Sequence, residues 1–400
     1  MRTFLFLIAS VAFATVVPSA SVWAQDGRVR GVVFADANAN GARDAGERGV
    51  GGVAVSNQND VVVTDSAGAF AIPPSATGII FVSVPDGYRS VGGFWRATQS
   101  QAAAITFALA KETQSRTFTF AHGSDSHIEP ANVNRFRRFR SLTDSLHASF
   151  VLMGGDLVRD AMSQQEPQAR AYFDLFVAES KAFHVPLWTV PGNHDHFGII
   201  RSRSHIDPRN PMYNRAMYRS YFGPDYYSFT YGGVHFIGLN SISVDDSAYY
   251  GNIDSVQMAW LKRDLEHVPA STPIVTFNHI PFVSGWWQVI GYLDDPLVSS
   301  VAIVNGVKSF RHTVGNLPQV LELMRGHQFV LGLGSHTHSA EHVNFVTDGM
   351  AARFDVSSAI TAGNVAGPVV VPSGFTLYTV KNGVIDAGQF VRLDPPPPPR

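Results

Sequence analysis

The chain has 400 residues, of which 45% are hydrophobic and only 16% are charged, and its formal net charge is −2. This length allows two or three domains with a large core, and the near-neutral charge offers no basic field for nucleic acid and no acidic tail for a basic partner. The sequence contains no cysteine, which excludes disulfides and thiolate metal sites, so any metal must be held by nitrogen and oxygen.

Residues 1–24 have the pattern of a secretory signal peptide. Arg2 supplies a positive start, an apolar stretch runs from Phe4 to Val17, and small residues favour cleavage between Ala24 and Gln25. The alternative is an uncleaved membrane anchor, but the apolar stretch is shorter than the roughly 20 residues that cross a bilayer. We therefore expect a periplasmic or secreted protein with no transmembrane segment after cleavage.

Residues 26–110 are rich in Val, Ala, Gly and Asn and have the pattern of a small all-β sandwich domain. Short alternating runs separated by turn residues predict its strands, which are 29–34, 53–56, 61–64, 69–72 and 78–84. The polar residues 110–116 predict a linker to the next domain.

One loop of this region carries oxygen side chains at the spacing of a calcium-binding loop. Positions 1, 3, 5, 9 and 12 are occupied and position 6 is Gly41; the five residues are Asp36, Asn38, Asn40, Asp44 and Glu47. The flanking runs predict strands, so we do not predict an EF-hand. The loop resembles the start of SdrD B-type and MetallophosN-type β-sandwich domains, and the resemblance to the SdrD B type implies possible calcium binding. The alternative is a polar Asn-Gly turn without metal.

From Thr117 onward, apolar strands alternate with helices. The predicted strands are 118–121, 150–153, 187–190, 274–277, 329–333, 376–380 and 387–391, and the predicted helices are 133–147, 166–183 and 255–267. Residues 196–232 are interpreted as a long loop-like excursion, and residues 393–400 as a proline-rich tail.

Five short segments contain metal-ligand side chains, and each follows an apolar strand. Together they offer seven ligands, which are Asp125, His127, Asp156, Asn193, His279, His336 and His338. Carboxylate, amide oxygen and imidazole suit hard-to-borderline divalent cations, and strand ends are where α/β folds build their sites. One such residue alone is more often a turn, cap or hydrogen-bonded residue; five segments in order are a specific signal.

These segments resemble the calcineurin-like metallophosphoesterase superfamily. The order Asp125-Ser126-His127, Gly155-Asp156, Gly192-Asn193-His194-Asp195, His279-Ile280-Pro281 and His336-Thr337-His338 matches its motifs. The resemblance implies an α/β fold, a four-layer αββα sandwich of two mixed sheets, over residues 117–392. It further implies one metal on Asp125, His127 and His338, another on Asn193, His279 and His336, Asp156 shared between them, and His194 as a catalytic group facing the leaving group.

Two positions depart from the family pattern. Ser335 stands where the family has a glycine, with Gly334 one place early. Many members have an Asp three residues after the shared Asp to orient the catalytic His, and here that position is Arg159, followed by Asp160.

The resemblance implies an enzyme that hydrolyses phosphoesters with a metal-bridging hydroxide, using two ions of Mn, Fe or Zn, and the signal-peptide pattern predicts that this enzyme is exported. The sequence favours a phosphodiester but leaves open a phosphomonoesterase of the same fold, and, from another class, a cell-surface binding protein that uses the fold as a scaffold. A small molecule, a lipid and a polymer all stay open as the substrate. The residues carry no code for it.

Overall fold

The N-terminal part of the protein consists of short strands in two layers. The computed structural model describes residues 27–98, 104–289, 301–304, 306–347, 349–366 and 369–394. The strands of this part are β1 Val29–Ala35, β2 Ala54–Ser56, β3 Val61–Val63, β4 Ala69–Ile72, β5 Ile79–Val82, β6 Tyr88–Val91, β7 Trp95–Ala97 and β8 Ile105–Lys111. They form two four-stranded sheets, β4-β1-β8-β6 and β3-β2-β5-β7, which is the expected β-sandwich.

The alternation of buried apolar residues with more exposed residues explains the strands that the sequence predicts in this part. In β4, Phe70 and Ile72 are buried while the alanines between and before them are not, as the two-residue period of a strand requires. The sequence did not predict β6, β7 or β8. The first two are only partly buried and contain arginine, so they lack the apolar alternation that marks a strand.

The larger part alternates strands and helices and ends in a series of hairpins. Its strands are β9 Thr117–Gly123, β10 Phe150–Met153, β11 Leu187–Thr189, β12 Tyr227–Tyr231, β13 Val234–Gly238, β14 Ile242–Asp245, β15 Ala248–Gly251, β16 Pro273–Phe277, β17 Val301–Val304, β18 Val307–Phe310, β19 Gln328–Gly334, β20 Glu341–Thr347, β21 Met350–Val356, β22 Asn364–Ala366, β23 Val369–Val371, β24 Gly374–Lys381, β25 Val384–Ile385 and β26 Gln389–Arg392. Its helices are α1 Val133–Ser145, α2 Glu166–Ser180, α3 Arg201–Ser204, α4 Arg215–Phe222, α5 Ser255–Leu265, α6 Trp286–Val289 and α7 Leu317–Met324.

Two mixed six-stranded sheets face each other at the centre of this part. One has the order β11-β10-β9-β24-β25, with β26 paired to β24, and the other has the order β12-β13-β16-β19-β21-β20. Phenylalanines of α1 and α2 pack on the outer face of the first sheet, and Trp260 of α5 and Val320 of α7 pack with the second. The result is the expected four-layer αββα sandwich.

The prediction of a loop over residues 196–232 was wrong in part. This segment contains α3, α4 and β12. Helix α4 buries Met217 and Tyr218, and the Tyr218 hydroxyl donates to the carbonyl oxygen of Thr189 at 2.9 Å. A helix of eight residues is too short to give a clear 3.6-residue pattern, and surrounding Arg, Pro and Tyr residues made the segment look irregular.

The two parts share one hydrophobic core and several hydrogen bonds. Val33 and Phe107 of the N-terminal sandwich belong to the same buried cluster as Phe236 of the central sheets. Across the boundary, Trp260 Nε1 donates to Ser56 Oγ at 3.1 Å, and the Tyr226 hydroxyl donates to the Gln58 carbonyl oxygen at 2.7 Å. The N-terminal part is therefore packed against the larger part over a continuous surface.

The signal peptide expected at 1–24 lies outside the described residues, as do residues 395–400 of the proline-rich tail. Within the described ranges, no helix has both the length and the apolar character needed to cross a membrane.

Candidate metal centre

The seven predicted ligands all follow strands of the two central sheets. Strands β9, β10 and β11 of the first sheet lead into Asp125 and His127, Asp156 and Asn193, respectively. Strands β16 and β19 of the second sheet lead into His279 and into His336 and His338. The sheet sandwich therefore brings residues that are more than 200 positions apart to one edge.

Three groups of side chains converge there with their ligand atoms within 4.8 Å of one another. They are Asp125, His127 and His338; His127, Asp156 and His194; and Asp156, His279 and His336. Asp156 belongs to two of these groups, so it lies within reach of His127 and His194 as well as of His279 and His336.

Individual distances separate two halves of the centre. In one half, His338 Nε2 lies 3.1 Å from Asp125 Oδ1, and His127 Nε2 lies 3.6 Å from Asp156 Oδ2. In the other half, His279 Nε2 lies 3.2 Å from Asp156 Oδ2 and 3.1 Å from Asn193 Oδ1. His336 Nδ1 lies 3.2 Å from His279 Nε2.

The chemistry of these groups fits divalent cations. Asp125 and Asp156 are almost fully buried, which is a costly state for two carboxylates without a positive charge nearby. Burial alone would lower the pKa of His279, but the Asp156 carboxylate raises it to about 9. The carboxylates thus favour positive charge at His279, whereas burial lowers the pKa of His127 and His336 and keeps both rings neutral. Neutral imidazoles together with carboxylate and amide oxygens suit a divalent metal site.

The backbone at the centre adopts a conformation that is uncommon for residues with side chains. Five of the seven predicted ligands have positive φ: Asp125 at 50°, His127 at 39°, Asp156 at 49°, His336 at 73° and His338 at 53°. This conformation is strained for a residue with a side chain, and residues that adopt it cluster at functional sites. Here the left-handed turns direct both side chains of each Asp-x-His and His-x-His segment into the same pocket.

His194 lies beside the centre and stays partly accessible. Its Nδ1 is 3.1 Å from the Arg159 carbonyl oxygen and 3.8 Å from Asp160 Oδ1, and its ring meets the His127 ring edge-on at 4.7 Å. Its side chain is 23% exposed. The carbonyl oxygen therefore accepts from Nδ1–H, which leaves Nε2 free to face a substrate.

The neighbouring Asp195 fixes the loop that carries Asn193 and His194. Its carboxylate accepts hydrogen bonds from the backbone N–H groups of Leu157, Val158 and Gly192 at 2.8–3.2 Å. Burial, with the negative charge of Asp156, raises the pKa of Asp195 to about 7. Asp195 thus ties the Asn193 loop to the Asp156 loop without contributing to the three ligand groups.

Both departures from the family pattern have a local explanation. The Ser335 side chain occupies space over Gly154, where an added Cβ would collide with Ser335 Oγ, so the serine fits because residue 154 has no side chain. At the other departure, the backbone carbonyl of Arg159 contacts His194 more closely than Asp160 does. The Arg159 guanidinium points elsewhere, with Nε 3.4 Å from Glu129 Oε1.

One residue at the centre was missed by the sequence analysis. His312 places Nδ1 2.7 Å from His336 Nε2. It stands alone between a hairpin and a helix, with no motif around it, so the sequence contains no signal that distinguishes it.

The predicted calcium loop is a hydrogen-bonded turn whose oxygens face its own N–H groups. Asp36 Oδ2 accepts from Gly41 N at 2.8 Å, Glu47 Oε1 accepts from Ala37 N at 2.8 Å, and the amides of Asn38 and Asn40 donate to Asp44 Oδ2. All five predicted residues therefore lie in one hydrogen-bonded loop. Calcium binding there stays a prediction.

Comparison with known proteins connects these features to a family. A family model described as calcineurin-like phosphoesterase matches residues 118–340, more than half of the chain. A second, described as the N-terminal domain of calcineurin-like phosphoesterase, matches residues 37–112. No curated protein matches the chain.

Two of the solved structures that match this chain are distant likenesses. One is GAP50, the anchor in the inner membrane complex of Plasmodium, at 12% identity and a TM-score of 0.42, covering 69% of this chain and 85% of that one. Another is a conserved protein of Streptococcus pneumoniae TIGR4 described as a predicted phosphoesterase, at 11% identity and a TM-score of 0.30, covering 69% and 90%. Likenesses at these TM-scores carry no argument about function.

Proposed function

Because this chain belongs to the calcineurin-like phosphoesterase family and is a metal-dependent phosphoric ester hydrolase, we propose that it is an exported enzyme that cleaves phosphodiesters with two metal ions. The observation that carries the proposal is the position of Asp156, which forms one ligand group with His127 and His194 and another with His279 and His336. A protein that used the fold only as a scaffold would have no need of buried carboxylates facing four imidazoles.

Each of the two metal ions would have its own set of ligands, with one ligand shared. Asp125, His127 and His338 would hold one ion, Asn193, His279 and His336 would hold the other, and Asp156 would contact both. When bound, two such cations supply hydroxide at neutral pH and neutralise charge on the phosphoryl oxygens. Mn, Fe and Zn all suit these mixed donors, and metal analysis of the purified protein would choose among them.

His194 would complete the reaction by moving a proton. Hydrolysis forms a P–O bond from water and breaks the P–O bond to the leaving group, whose oxygen then needs a proton. With Nδ1–H held by the Arg159 carbonyl, a protonated His194 donates from Nε2 to that oxygen. The backbone contact fixes the ring, so the proton is delivered in one direction.

The ion pair between Arg159 and Glu129 supports a diester over a monoester as the substrate. A diester carries one negative charge and a monoester about two, so a monoesterase gains more from an unpaired cation beside the phosphate. The Arg159 guanidinium, on the residue whose carbonyl holds His194, is already close to Glu129. This partial neutralisation fits the singly charged substrate.

The direct test compares bis-(p-nitrophenyl) phosphate with p-nitrophenyl phosphate, with Mn²⁺ added. We expect a higher kcat/KM for the diester. A preference for the monoester would replace the proposal with a phosphomonoesterase of the same fold, and inactivity on both would remove the enzymatic proposal for these substrate classes.

Export rests on the apolar stretch from Phe4 to Val17 after Arg2. Expression of the full chain in a bacterium with a periplasm should yield mature protein that begins at Gln25, by mass spectrometry. Recovery of the uncleaved chain from the cytoplasm would contradict export.

Calcium in the N-terminal loop is supported by the spacing of Asp36, Asn38, Asn40, Asp44 and Glu47. Calcium should raise the melting temperature of the wild-type protein more than that of Asp36→Asn. Equal shifts in the two proteins would favour a polar turn without metal.

A further inference from the structure

His312 contacts a predicted metal ligand from the side that faces away from the metal centre. Its Nδ1 lies 2.7 Å from His336 Nε2, and the two imidazole rings meet edge to edge, with centroids 4.9 Å apart and planes 22° from parallel. The 2.7 Å between His312 Nδ1 and His336 Nε2 is a hydrogen-bond distance. One of these two nitrogens must therefore carry the proton that the other accepts.

The two nitrogens of His336 have different surroundings. Nδ1 lies 3.2 Å from His279 Nε2, and His336 forms a ligand group with Asp156 and His279. Nδ1 is therefore the atom placed to bind a cation, and in the neutral ring it then carries no proton. The proton is on Nε2, which donates to His312 Nδ1. Histidines that bind metals commonly donate their other N–H in this way, which fixes the tautomer and the ring orientation.

The position of His312 is itself supported by neighbouring groups. The Trp287 ring packs against it at 5.0 Å. Two residues further on, Val314 N donates to the Pro281 carbonyl oxygen at 3.0 Å and Gly315 N donates to the Gly251 carbonyl oxygen at 2.9 Å. Pro281 follows His279 closely, so the segment that carries His312 is tied to the segment that carries another predicted ligand.

We propose that His312 is a positioning residue of the metal centre, which holds His336 through Nε2 so that Nδ1 points at Asp156 and His279. The inference rests on the proposed function, since it concerns one of its two metal sites. It assigns His312 to the half of the centre that contains His336. The half formed by Asp125, His127 and His338 contains no residue in contact with His312 among those that the structure describes.

Titration of the metal-free protein with metal ions tests this positioning role of His312 separately from catalysis. Apo protein is titrated with Mn²⁺ by calorimetry, with calcium in excess so that the N-terminal loop does not contribute. Wild type should bind two ions. His312→Ala should weaken one of the two binding events by about 10- to 100-fold and leave the other unchanged. His267→Ala, at an exposed histidine outside the site, should match wild type.

Two isosteric variants distinguish positioning from general damage. In His312→Asn, an amide oxygen stands near the place of Nδ1 and can accept from His336 Nε2, so this variant should recover most of the lost affinity. In His312→Gln, the amide reaches toward the place of Nε2 instead, so the weak binding should persist. Because this comparison uses two variants of similar polarity, it holds even where His312→Ala fails to fold.

Each outcome has a distinct meaning. Two tight binding events in His312→Ala, or equal affinities in the Asn and Gln variants, would overturn the positioning role and leave the proposed function intact. Three ions in wild type with one lost in His312→Ala would make His312 a ligand and overturn the inference as stated. A wild-type protein that binds no Mn²⁺, Zn²⁺ or Fe²⁺ would overturn the proposed function, and the inference with it.

Discussion

At the scale of single residues, the proposed catalytic histidine, His194, is held by a backbone carbonyl more closely than by a carboxylate. His194 Nδ1 is 3.1 Å from the Arg159 carbonyl oxygen and 3.8 Å from Asp160 Oδ1. A backbone acceptor cannot be removed by changing a side chain. The sequence pattern left open which group orients His194, because a motif shows side chains and not the direction of a carbonyl.

Replacing His194 by Ala should lower kcat on phosphodiesters by about 10²- to 10⁴-fold, since the leaving oxygen loses its proton donor. The loss should grow as the pKa of the leaving alcohol rises, which a series of aryl esters would reveal. Asp160→Asn should lower kcat by less than about tenfold, because the carbonyl contact survives. If Asp160→Asn were as inactive as His194→Ala, the carboxylate would be the orienting group after all.

At the scale of elements, the loops after the central strands approach so closely that glycine is needed at particular positions. Gly154 faces Ser335 Oγ, and Gly155, at φ 94°, packs against the backbone of Gly192. The β10 and β11 loops thus meet without side chains between them. This contact places Asp156 next to the loop of Asn193.

Gly154→Ala should lower the free energy of unfolding by about 1–3 kcal/mol, because the new methyl group would overlap Ser335 Oγ. Ser335→Gly in the same chain should restore part of the loss. Gly155→Ala provides the control: its strain comes from positive φ and from the backbone of Gly192, so Ser335→Gly should not rescue it. Urea unfolding of wild type, the two single variants and the two double variants measures this, and rescue of both glycine variants alike would contradict the account.

Elements whose apolar residues are contiguous or regularly spaced were predictable, and elements of mixed polarity were not. Strand β10 and the start of α2 were predicted at their observed bounds, because their apolar residues are contiguous or regularly spaced. Strand β6 and helix α4 were not, since a few residues of mixed polarity give no period. The seven ligands were recognisable because motifs keep them adjacent, whereas His312 reaches the centre only through tertiary packing.

At the scale of the whole molecule, Asp225 joins both parts of the chain. Its buried carboxylate accepts hydrogen bonds from Arg219 at 2.6 Å, from Asn240 at 2.9 Å and, across the boundary, from Gln58 at 3.0 Å. Burial alone would raise the pKa of Asp225, but Arg219 and Arg215 hold it well below its usual range. The carboxylate therefore stays charged in the folded protein.

Asp225→Asn should lower the free energy of unfolding at neutral pH by about 3 kcal/mol, because the partly buried Arg219 loses its counter-charge and Arg215 keeps only Asp254. Since the folded pKa is depressed, this contribution is complete above the unfolded pKa of about 3.9 and declines as pH falls below it. The difference between wild type and variant should thus shrink at acid pH. Asp207→Asn, at an exposed ion pair, is the control and should change stability far less. A difference that did not depend on pH would contradict the assignment.

The central claim is that Asp156 lies between two metal ions, and metal content tests it most directly. Inductively coupled plasma mass spectrometry of active, calcium-free protein should find two transition-metal ions per chain, and Asp156→Ala should lose both metal and activity while remaining folded. Active wild-type protein with no bound transition metal, or an Asp156→Ala variant with two tightly bound ions and full activity, would contradict the account.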